Sequence, residues 1–373
     1  MSARTVAVFT GSRAEYGLLK PVLSAIESTE GLEIQLIAGG SHLIGTCPTI
    51  QEIRSERVVQ AEIPMQVGNE RTRKSDADAV ARGIREMSEV LSSMDPEFLL
   101  LLGDRIEVLA AAISASLLGI RVAHIHGGDV AIGVCDDSIR HAVTKLSHIH
   151  FPATELSAAR IRGMGERADS IFVAGSPAVD GLDQIPVIAD HEWRRLGEPR
   201  FVILHHPIGD SERIEHDRMT EIISTISKQG STLLIDPNHD PGSDGIRKAI
   251  EQSGLPSLGH IARESFIGLM KRVDVLIGNS SAGLIECAAL GTPAVDVGDR
   301  QAGREHPRTV VHVERLTGRE LEAGLDRALT LIGKGSDDRF GSGAAGVLIS
   351  RTLSDISLVD CPIRKCWAES SSE

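Results

Sequence analysis

The sequence lacks any apolar run approaching the roughly 20 residues that a membrane-spanning helix needs. Its first residues, MSARTVAVFT, enter an apolar strand at once, without the charged, apolar and small-residue sections of a secretory signal. Aromatic residues make up only 3% of the 373 residues, and the formal net charge is −13. An acidic chain with few aromatic rings repels phosphates and stacks few bases. We therefore expect a soluble cytoplasmic protein that binds neither membranes nor nucleic acid.

Cysteine is scarce, and no two cysteines form a C-x-x-C pair. The five residues are Cys47, Cys135, Cys287, Cys361 and Cys366. An odd, scattered set of this kind fits free thiols in a reducing compartment and disfavours a structural zinc site.

Short apolar runs alternate with amphipathic stretches along the first half of the chain. TVAVFT, LEIQLIAGG, EFLLLLGD, RVAHIHGGD and SIFVAGS are typical of strands that are apolar on both faces, and helical patterns separate them. This order predicts an α/β fold with a parallel, doubly wound sheet. The same rhythm restarts after the polar, proline-containing segment 181–199, which predicts a second Rossmann-like domain.

These patterns predict the domain boundaries. We expect an N-terminal domain over residues 1–180 that carries the candidate catalytic carboxylates, and a C-terminal domain over residues 181–355 that binds a nucleotide. The last helix is expected to pack back on the N-terminal domain. Residues 356–373 are expected to form a flexible tail, and the polar segment 66–77 is expected to be a mobile loop.

Small and polar residues follow nearly every predicted strand. In open parallel sheets, ligands bind outside the carboxyl ends of the strands. The segments at those ends are GSRAEYG (11–17), GGSHLIG (39–45), GDR (103–105), HGGD (126–129), HHP (205–207), PNHD (237–240), GNSS (278–281) and GDRQAGRE (298–305). They predict a polar binding site at the strand ends.

The segment GNSSAGLIECAALGTP reads as a strand, a Gly/Ser turn and an apolar helix. Backbone N–H groups at such a helix start attract anions, so Ser280 and Ser281 are candidates to hold a diphosphate; the alternative is that Ser281 is only an N-cap. Glu286 is the only charge in AGLIECAALG and is a candidate partner for ribose hydroxyls, unless an arginine pairs with it. In GSRAEYG, which matches neither a dinucleotide nor a Walker A motif, Arg13 offers a donor fork for phosphate.

Four aspartates are candidates for proton transfer. A right-handed βαβ unit brings Asp104 and Asp129 to the same edge of the sheet. Asp136 and Asp137 stand at the start of the helical pattern in DDSIRHAVTKL. Carboxylates gathered in a crevice raise one another's pKa and can serve as general base or acid. The alternative is a solvated acidic turn that caps the helix.

Histidines add two further possibilities. His206 precedes Pro207 at the end of a predicted strand, where it can bridge a leaving phosphate or shuttle a proton, unless a loop carbonyl occupies it. His124, His126 and Asp129 form a conceivable set of metal ligands. No spaced carboxylate–histidine motif supports that alternative, so we predict no metal site.

Taken together, these motifs resemble the hydrolysing UDP-N-acetylglucosamine 2-epimerases of the sialic acid pathway. The similarity runs in order from about residue 5 to about residue 310, and DDSIRH, GNSSAGLIE and GDRQAGRE are its most specific parts. The resemblance implies a two-domain GT-B fold with the active site in the interdomain cleft. It also implies conversion of UDP-N-acetylglucosamine and water to N-acetylmannosamine and UDP without a cofactor, neither NAD nor a required metal. A homo-oligomer, dimer or tetramer, is expected from the resemblance alone.

The family mechanism supplies roles for the candidate residues. A base removes the C2 proton as UDP leaves C1, which gives a 2-acetamidoglucal to which water adds. By motif position, the resemblance implies that Asp104, and Asp129 with Asp136 or Asp137, handle protons, and that His206 is the catalytic or leaving-group histidine; which carboxylate is the C2 base stays open. It implies substrate or nucleotide contacts from Arg13, His42, Arg105, His126, Asn238, Ser280, Ser281, Glu286 and Arg304.

Some positions depart from the family pattern. Asp129 stands where many relatives have the longer Glu, His126 is Glu in some members, and IGTCPTI (44–50) differs from the usual loop. These departures leave open the same chemistry on a UDP-2,4-diacetamido-trideoxyhexose, as on the legionaminic acid route. A non-hydrolysing 2-epimerase, a GT-B glycosyltransferase and a non-catalytic nucleotide-sugar-binding protein are further alternatives. DDSIRH and GDRQAGRE favour the hydrolysing branch.

Overall fold

The structure, a computed structural model, describes residues 3–44, 49–67, 72–130, 136–238, 240–259 and 261–368, and for Asp136 the backbone only. The chain forms two compact units. Unit 1 comprises Met1–Asp129, Cys135–Asp180 and Gly341–Glu373, and unit 2 comprises Val130–Val134 and Gly181–Phe340.

Unit 1 is built on a six-stranded, fully parallel sheet of order β3-β2-β1-β4-β5-β6. Its elements are β1 (Arg4–Thr10), α1 (Arg13–Glu27), β2 (Leu32–Gly39), α2 (Ile50–Glu56), β3 (Ala61–Ile63), α3 (Arg73–Met94), β4 (Phe98–Leu102), α4 (Ile106–Leu118), β5 (Arg121–Ile125), α5 (Asp136–Leu146), β6 (Ile149–Phe151) and α6 (Glu155–Gly163), with 3₁₀ turns at Gly40–Leu43, Ala168–Ser170 and Pro177–Val179. Every residue of β4, FLLLL, is buried. A parallel sheet covered by helices on both faces requires such continuous apolar strands.

Unit 2 repeats this architecture with a parallel sheet of order β12-β11-β10-β7-β8-β9. Its elements are α7 (Asp190–Arg195), β7 (Phe201–Leu204), α8 (Glu212–Ile226), β8 (Thr232–Ile235), α9 (Ser243–Ser253), β9 (Ser257–Leu258), α10 (Arg263–Met270), β10 (Val275–Gly278), α11 (Ser281–Leu284), α12 (Glu286–Leu290), β11 (Ala294–Val297), β12 (Val310–Val313) and α13 (Gly318–Leu329), with a 3₁₀ turn at Leu182–Gln184. The alternating β and α pattern therefore predicted the class of both units, α/β with parallel sheets.

The last helix, α14 (Ala345–Asp355), belongs to unit 1. It packs on α1, and Ala345, Ile349 and Leu353 join the apolar cluster on that face of the sheet. The Asp180 carboxylate accepts hydrogen bonds from the backbone N–H groups of Ala345 (3.0 Å) and Gly346 (2.7 Å). A carboxylate at these N–H groups satisfies the unpaired donors of a helix start.

Residues 356–368 differ from the flexible tail expected from sequence, because they are bonded to unit 1. Arg121 Nε donates to the carbonyl of Cys361 at 2.7 Å, and Lys365 Nζ lies 2.7 Å from Glu166 Oε2. The indole of Trp367 lies against the α-carbon of Gly165, where a Cβ atom would clash with the ring. The polar composition of the tail concealed these long-range contacts.

The segment 66–77 also differs from the mobile loop expected from sequence, since α3 already begins at Arg73. Thr72 and Ser75 cap this start reciprocally, the Thr72 side chain accepting from the Ser75 N–H at 3.1 Å. Such a capping box satisfies donors at the helix start. Residues 68–71 lie outside the described residues. Within the described ranges, no helix is long and apolar enough to cross a membrane.

Candidate functional site

Each sheet has one point at which its strand order changes direction. In unit 1 this point lies between β1 and β4, and in unit 2 it lies between β7 and β10. Ligands of open α/β sheets bind beyond the carboxyl ends of the strands at such points. The candidate residues fall there: Arg13 follows β1, Asp104 and Arg105 follow β4, His206 follows β7 and Ser280 follows β10.

Asp104 is held by an arginine that the sequence analysis did not single out. Arg140 Nη2 on α5 forms an ion pair with Asp104 Oδ2, and the Arg140 side chain is 3% exposed. Nη1 of the same guanidinium lies 4.0 Å from Asp137 Oδ1. Arg140 therefore brings Asp104 and Asp137 to one buried cation. Its place in DDSIRH, three residues after Asp137, was the available signal. The side chain of Asp136 lies outside the described residues.

Asp129 contacts a different set of side chains. Its Oδ2 lies 3.1 Å from His126 Nδ1, and its Oδ1 accepts a hydrogen bond from Ser157 Oγ at 2.8 Å. His126 Nε2 lies 2.8 Å from Ser176 Oγ, so both ring nitrogens are engaged. His126 adopts φ 65°, a conformation uncommon for residues other than glycine. The contacts with Asp129 and Ser176 hold the ring in place.

His124 is committed to a structural role. Its Nε2 lies 2.7 Å from the carbonyl of Gly103, which can only accept, so Nε2 carries the proton. Burial lowers the pKa of His124 to about 3, which keeps the ring neutral. His124 thereby supports the turn that carries Asp104. His124 contacts Gly103 and Thr144, whereas His126 contacts Asp129. These separate contacts do not favour the alternative of a metal site at His124, His126 and Asp129.

Two buried glutamates beside the first strand end were missed by the sequence reasoning. Glu15 accepts from the Gly11 N–H at 3.1 Å, and its burial raises its pKa to about 8. Glu107 accepts from Gln66 at 2.7 Å and lies 3.4 Å from Arg105 Nε. A Cβ atom at Gly11 would approach Glu107 Cβ to 2.7 Å. Glycine at position 11 therefore leaves space for the Glu107 side chain. The glutamate in GDRIE, directly after a strand end, was the signal in the sequence that could have identified this residue.

Two other predicted ligands of unit 1 have protein partners. His42 is buried between the hydroxyls of Thr10 (3.0 Å) and Thr49 (2.6 Å), and burial lowers its pKa to about 4. Arg13 Nη2 lies 3.4 Å from Glu52 Oε2, with 39% of its side chain exposed. The Arg13 guanidinium thus keeps much of its surface available, whereas His42 is a neutral, oriented side chain.

In unit 2, Asn279 organises the strand ends. Its side chain accepts from the His206 N–H at 2.7 Å and donates to the His206 carbonyl at 2.8 Å. The Asn279 carbonyl accepts from Gln301 Nε2 at 2.7 Å and Arg300 Nη1 at 3.1 Å. Arg304 Nη1 in turn donates to Gln301 Oε1 at 2.8 Å. Asn279 therefore joins the segments HHP, GNSS and GDRQAGRE, and two arginines lie beside the Gly/Ser turn.

The tautomer of His206 follows from its contact with Asn238. The backbone N–H of Asn238 donates to His206 Nδ1 at 3.1 Å, so Nδ1 is the acceptor and Nε2 carries the proton. Burial, assisted by Arg300, lowers the pKa of His206 well below its usual value. At neutral pH this side chain is a neutral imidazole with an N–H donor.

The Gly/Ser turn of unit 2 differs in detail from the expected single helix. Ser280 is the N-cap of α11, its hydroxyl accepting from the Ala282 N–H at 3.4 Å, and Ser281 is the first helical residue. The helix ends at Leu284, and Glu286 begins the separate helix α12 as a partly buried residue. The structure thus places Ser280 and Ser281 at the strand end and Glu286 a short distance along the chain.

Comparisons with known proteins agree with this arrangement. A family profile described as UDP-N-acetylglucosamine 2-epimerase matches residues 24–354. The UDP-N,N'-diacetylbacillosamine 2-epimerase (hydrolyzing) of Legionella pneumophila is 32% identical over 377 residues, which cover 98% of this chain and 99% of that protein. The UDP-N-acetylglucosamine 2-epimerase of Neisseria meningitidis is 30% identical over 349 residues, 91% of each chain.

Solved structures match the fold. The UDP-N-acetylglucosamine 2-epimerase of Methanocaldococcus jannaschii, in complex with UDP-GlcNAc and UDP, superposes with a TM-score of 0.79 at 19% identity and covers 94% of this chain and 99% of that chain. A Staphylococcus aureus MnaA–UDP structure also gives 0.79, at 14% identity, with 98% and 100% covered. This likeness confirms the predicted fold class, a GT-B fold of Rossmann-like α/β domains with parallel sheets.

Proposed function

Because the chain belongs to the UDP-N-acetylglucosamine 2-epimerase family, we propose that it is the hydrolysing form of such an enzyme. The reaction converts UDP-N-acetylglucosamine and water to N-acetylmannosamine and UDP. A base takes the C2 proton while the C1–O bond to UDP breaks in the anti sense, which leaves a 2-acetamidoglucal. Water then adds across the double bond. Its oxygen bonds to C1, and a proton bonds to C2 on the face opposite to the one from which the base removed the first proton.

The observation that carries this proposal is the shared guanidinium of Arg140. Two carboxylates, those of Asp104 and Asp137, contact one arginine whose side chain is 3% exposed. General base catalysis requires a carboxylate held in a fixed orientation, and a buried ion pair restricts its rotation. Glycosyl transfer leaves the C2 proton in place and needs no base at C2. We assign the proton transfers to Asp104 and to Asp129 with Asp136 or Asp137.

Unit 2 contains groups suited to UDP. Arg300 and Arg304 lie beside the Gly/Ser turn through their contacts with Asn279 and Gln301. Guanidinium groups bind phosphate oxygens with paired donors. A neutral His206 with its proton on Nε2 can donate a hydrogen bond to the departing phosphate oxygen. We therefore assign His206 to the leaving group and Ser280, Ser281 and Arg304 to the diphosphate. Glu286 is assigned to the ribose.

A second candidate keeps the mechanism and changes the sugar. The Legionella relative, at 32% identity over nearly the whole chain, bears the name of an enzyme for UDP-N,N'-diacetylbacillosamine. That observation supports a UDP-2,4-diacetamido-trideoxyhexose as substrate. The variant loop 44–50, which suggested this alternative, falls largely outside the described residues, which omit 45–48.

The test is incubation with each UDP-sugar in D2O, followed by NMR. Free UDP with N-acetylmannosamine deuterated at C2 supports the first assignment, and the corresponding diacetamido product supports the second. UDP-N-acetylmannosamine as a lasting product identifies a non-hydrolysing epimerase. Release of UDP without deuterium at C2 contradicts the elimination. The Asp104→Asn variant is the matched control, because it should leave C2–H unexchanged.

A further inference from the structure

A second cluster of reactive side chains lies on β11 and β12, at one edge of the unit 2 sheet. Asp296 on β11 and His312 on β12 are Cα partners in the parallel ladder. Paired residues of neighbouring strands point to the same face of a sheet. His306 comes from the segment 298–309 that connects these strands, and it reaches the same carboxylate.

The distances are those of a compact ligand set. His306 Nε2 and His312 Nδ1 each lie 3.0 Å from Asp296 Oδ2. One ligand atom from each residue can be chosen so that all three lie within 4.8 Å of one another. Asp296 is 1% exposed in its side chain, and its Oδ1 has no hydrogen-bond partner among the described residues. A buried carboxylate with an oxygen that lacks a donor is costly unless a cation beside it compensates its charge.

The tautomer of His306 strengthens this argument. Its Nδ1 lies 3.0 Å from the carbonyl of Arg304, so Nδ1 carries a proton. In the neutral ring, Nε2 then directs a lone pair toward Asp296 Oδ2, and two acceptors face each other at 3.0 Å. A cation between them, a proton or a metal ion, removes this repulsion. A histidine that donates Nδ1–H to a backbone carbonyl is also the usual arrangement behind a metal-bound Nε2.

We propose that Asp296, His306 and His312 bind a divalent transition-metal ion of the zinc class as a structural site. Two imidazole nitrogens and one carboxylate oxygen suit this class, and a water molecule completes a tetrahedron. Metal–ligand bonds near 2.1 Å place ligand atoms about 3.4 Å apart. Each histidine nitrogen therefore needs to move only about 0.4 Å from Asp296 Oδ2, and the two histidine nitrogens, which lie within 4.8 Å of each other, need to reach the same spacing. The side chains of His306 and His312 are 29% and 35% exposed, which leaves access for the ion and its water.

The ion has a structural consequence and no step in the proposed reaction. It joins the segment 298–309 to β11 and β12, and this segment also carries Arg300 and Arg304. The scattered cysteines disfavour a structural zinc site with thiolate ligands. They do not bear on a site without cysteine ligands, whose members are separated by ten and six residues along the chain.

The experiment is titration of the chelator-treated full chain with Co²⁺ and then Zn²⁺. We expect one Co²⁺ per chain with visible d–d absorption, displacement by Zn²⁺, and a rise in Tm on adding Zn²⁺. His306→Gln and His312→Gln should each weaken binding at least about tenfold and abolish the Tm rise, because each removes one ligand. His191→Gln, an exposed histidine on α7, is the matched control and should bind as the wild type does.

Circular dichroism checks that the variants fold; His312 is partly exposed, so its replacement by Gln should be tolerated. Equal affinity and stoichiometry in His306→Gln, His312→Gln and the control would show that the ion binds adventitiously, and this result would overturn the proposal. So does a wild-type chain that binds neither ion. In that case, ¹⁵N NMR showing two ring protons on His306 would identify a proton as the cation between His306 and Asp296.

Discussion

The backbone N–H of Asn238 donates a hydrogen bond to Nδ1 of His206 over 3.1 Å. This contact fixes which nitrogen of His206 carries the proton, and burial keeps the ring neutral at physiological pH. Under the proposed function, His206 is therefore a hydrogen-bond donor through Nε2. A charged imidazolium at this position would require a higher pKa, whereas burial lowers the pKa of His206 well below its usual value.

His206→Ala should reduce kcat by about 10²- to 10⁴-fold, the usual effect of losing a proton donor, while the Kd for UDP rises by a much smaller factor because UDP loses only one hydrogen bond. His206→Gln keeps an N–H donor near the position of Nε2 and should retain more activity than the alanine variant. Steady-state kinetics and calorimetric UDP titration measure the two quantities. Equal activity of His206→Ala and the wild type would remove His206 from the mechanism.

The low pKa of His206 also predicts the pH profile. Its ring is neutral on both sides of pH 6.5, so the group contributes no rise or fall of kcat between pH 6 and pH 8. The wild type and His206→Gln should therefore have parallel profiles over this range. A step near pH 6.5 that is present in the wild type and absent from the glutamine variant would contradict the neutral assignment.

Asp104→Asn should abolish turnover while the UDP-sugar still binds. The amide cannot take a proton, and Arg140 keeps a polar partner at the same position. Arg140→Lys, which retains the charge but loses the planar fork, should lower kcat less than Asp104→Asn and leave KM nearly unchanged. Solvent deuterium incorporation at C2 provides the measurement. Incorporation by Asp104→Asn at the wild-type rate would exclude this carboxylate as the base.

Glu166 connects residues 356–368 to unit 1. Burial raises its pKa, but hydrogen bonds from His150, Lys145 and Lys365 outweigh burial and lower the pKa to about 2. Glu166→Gln should cost about 1 to 3 kcal/mol in the free energy of unfolding at pH 7. Because the folded pKa is depressed, this difference should shrink as the pH falls from about 4.5 toward 2.

Thermal denaturation at several pH values measures that difference, with Glu89→Gln on the exposed face of α3 as the control. Lys365→Met should reproduce part of the loss, since Lys365 Nζ lies 2.7 Å from Glu166 Oε2. A constant deficit from pH 7 to pH 3 would show that the carboxylate charge is not the source of the stabilisation.

The pKa of Glu15 is shifted in the opposite direction from that of Glu166, so its effect on stability has the opposite dependence on pH. Its burial raises its pKa to about 8 in the folded protein, so the folded state holds a proton that the unfolded chain releases above about pH 4.5. Wild-type stability should fall as the pH rises from 4.5 to 8, with a slope of up to about 1.4 kcal/mol per pH unit. The side chain of Glu15→Gln cannot ionise, so the stability of this variant relative to the wild type should increase over this pH range. Glu33→Gln, exposed on β2, should show no such gain in melting temperature.

Much of the fold could be predicted from periodicity alone. Apolar runs such as FLLLL mark strands buried on both faces, and helical patterns between them require parallel pairing. The polar residues after those runs were predicted to gather at the strand ends, and Asp104, His206 and Ser280 do lie there. Arg140 escaped notice because its sequence position shows only a charge on a helix, whereas its partner Asp104 lies 36 residues away.

The sequence by itself determined the α/β class, the repeated Rossmann-like pattern and the family, because these depend on local periodicity and short motifs. Only the tertiary structure decided which carboxylate pairs with Arg140, which nitrogen of His206 is protonated and that Asp296, His306 and His312 meet. Each of these depends on burial and on contacts between distant residues. Burial sets the cost of an unpaired charge, and a sequence does not record which side chain compensates it.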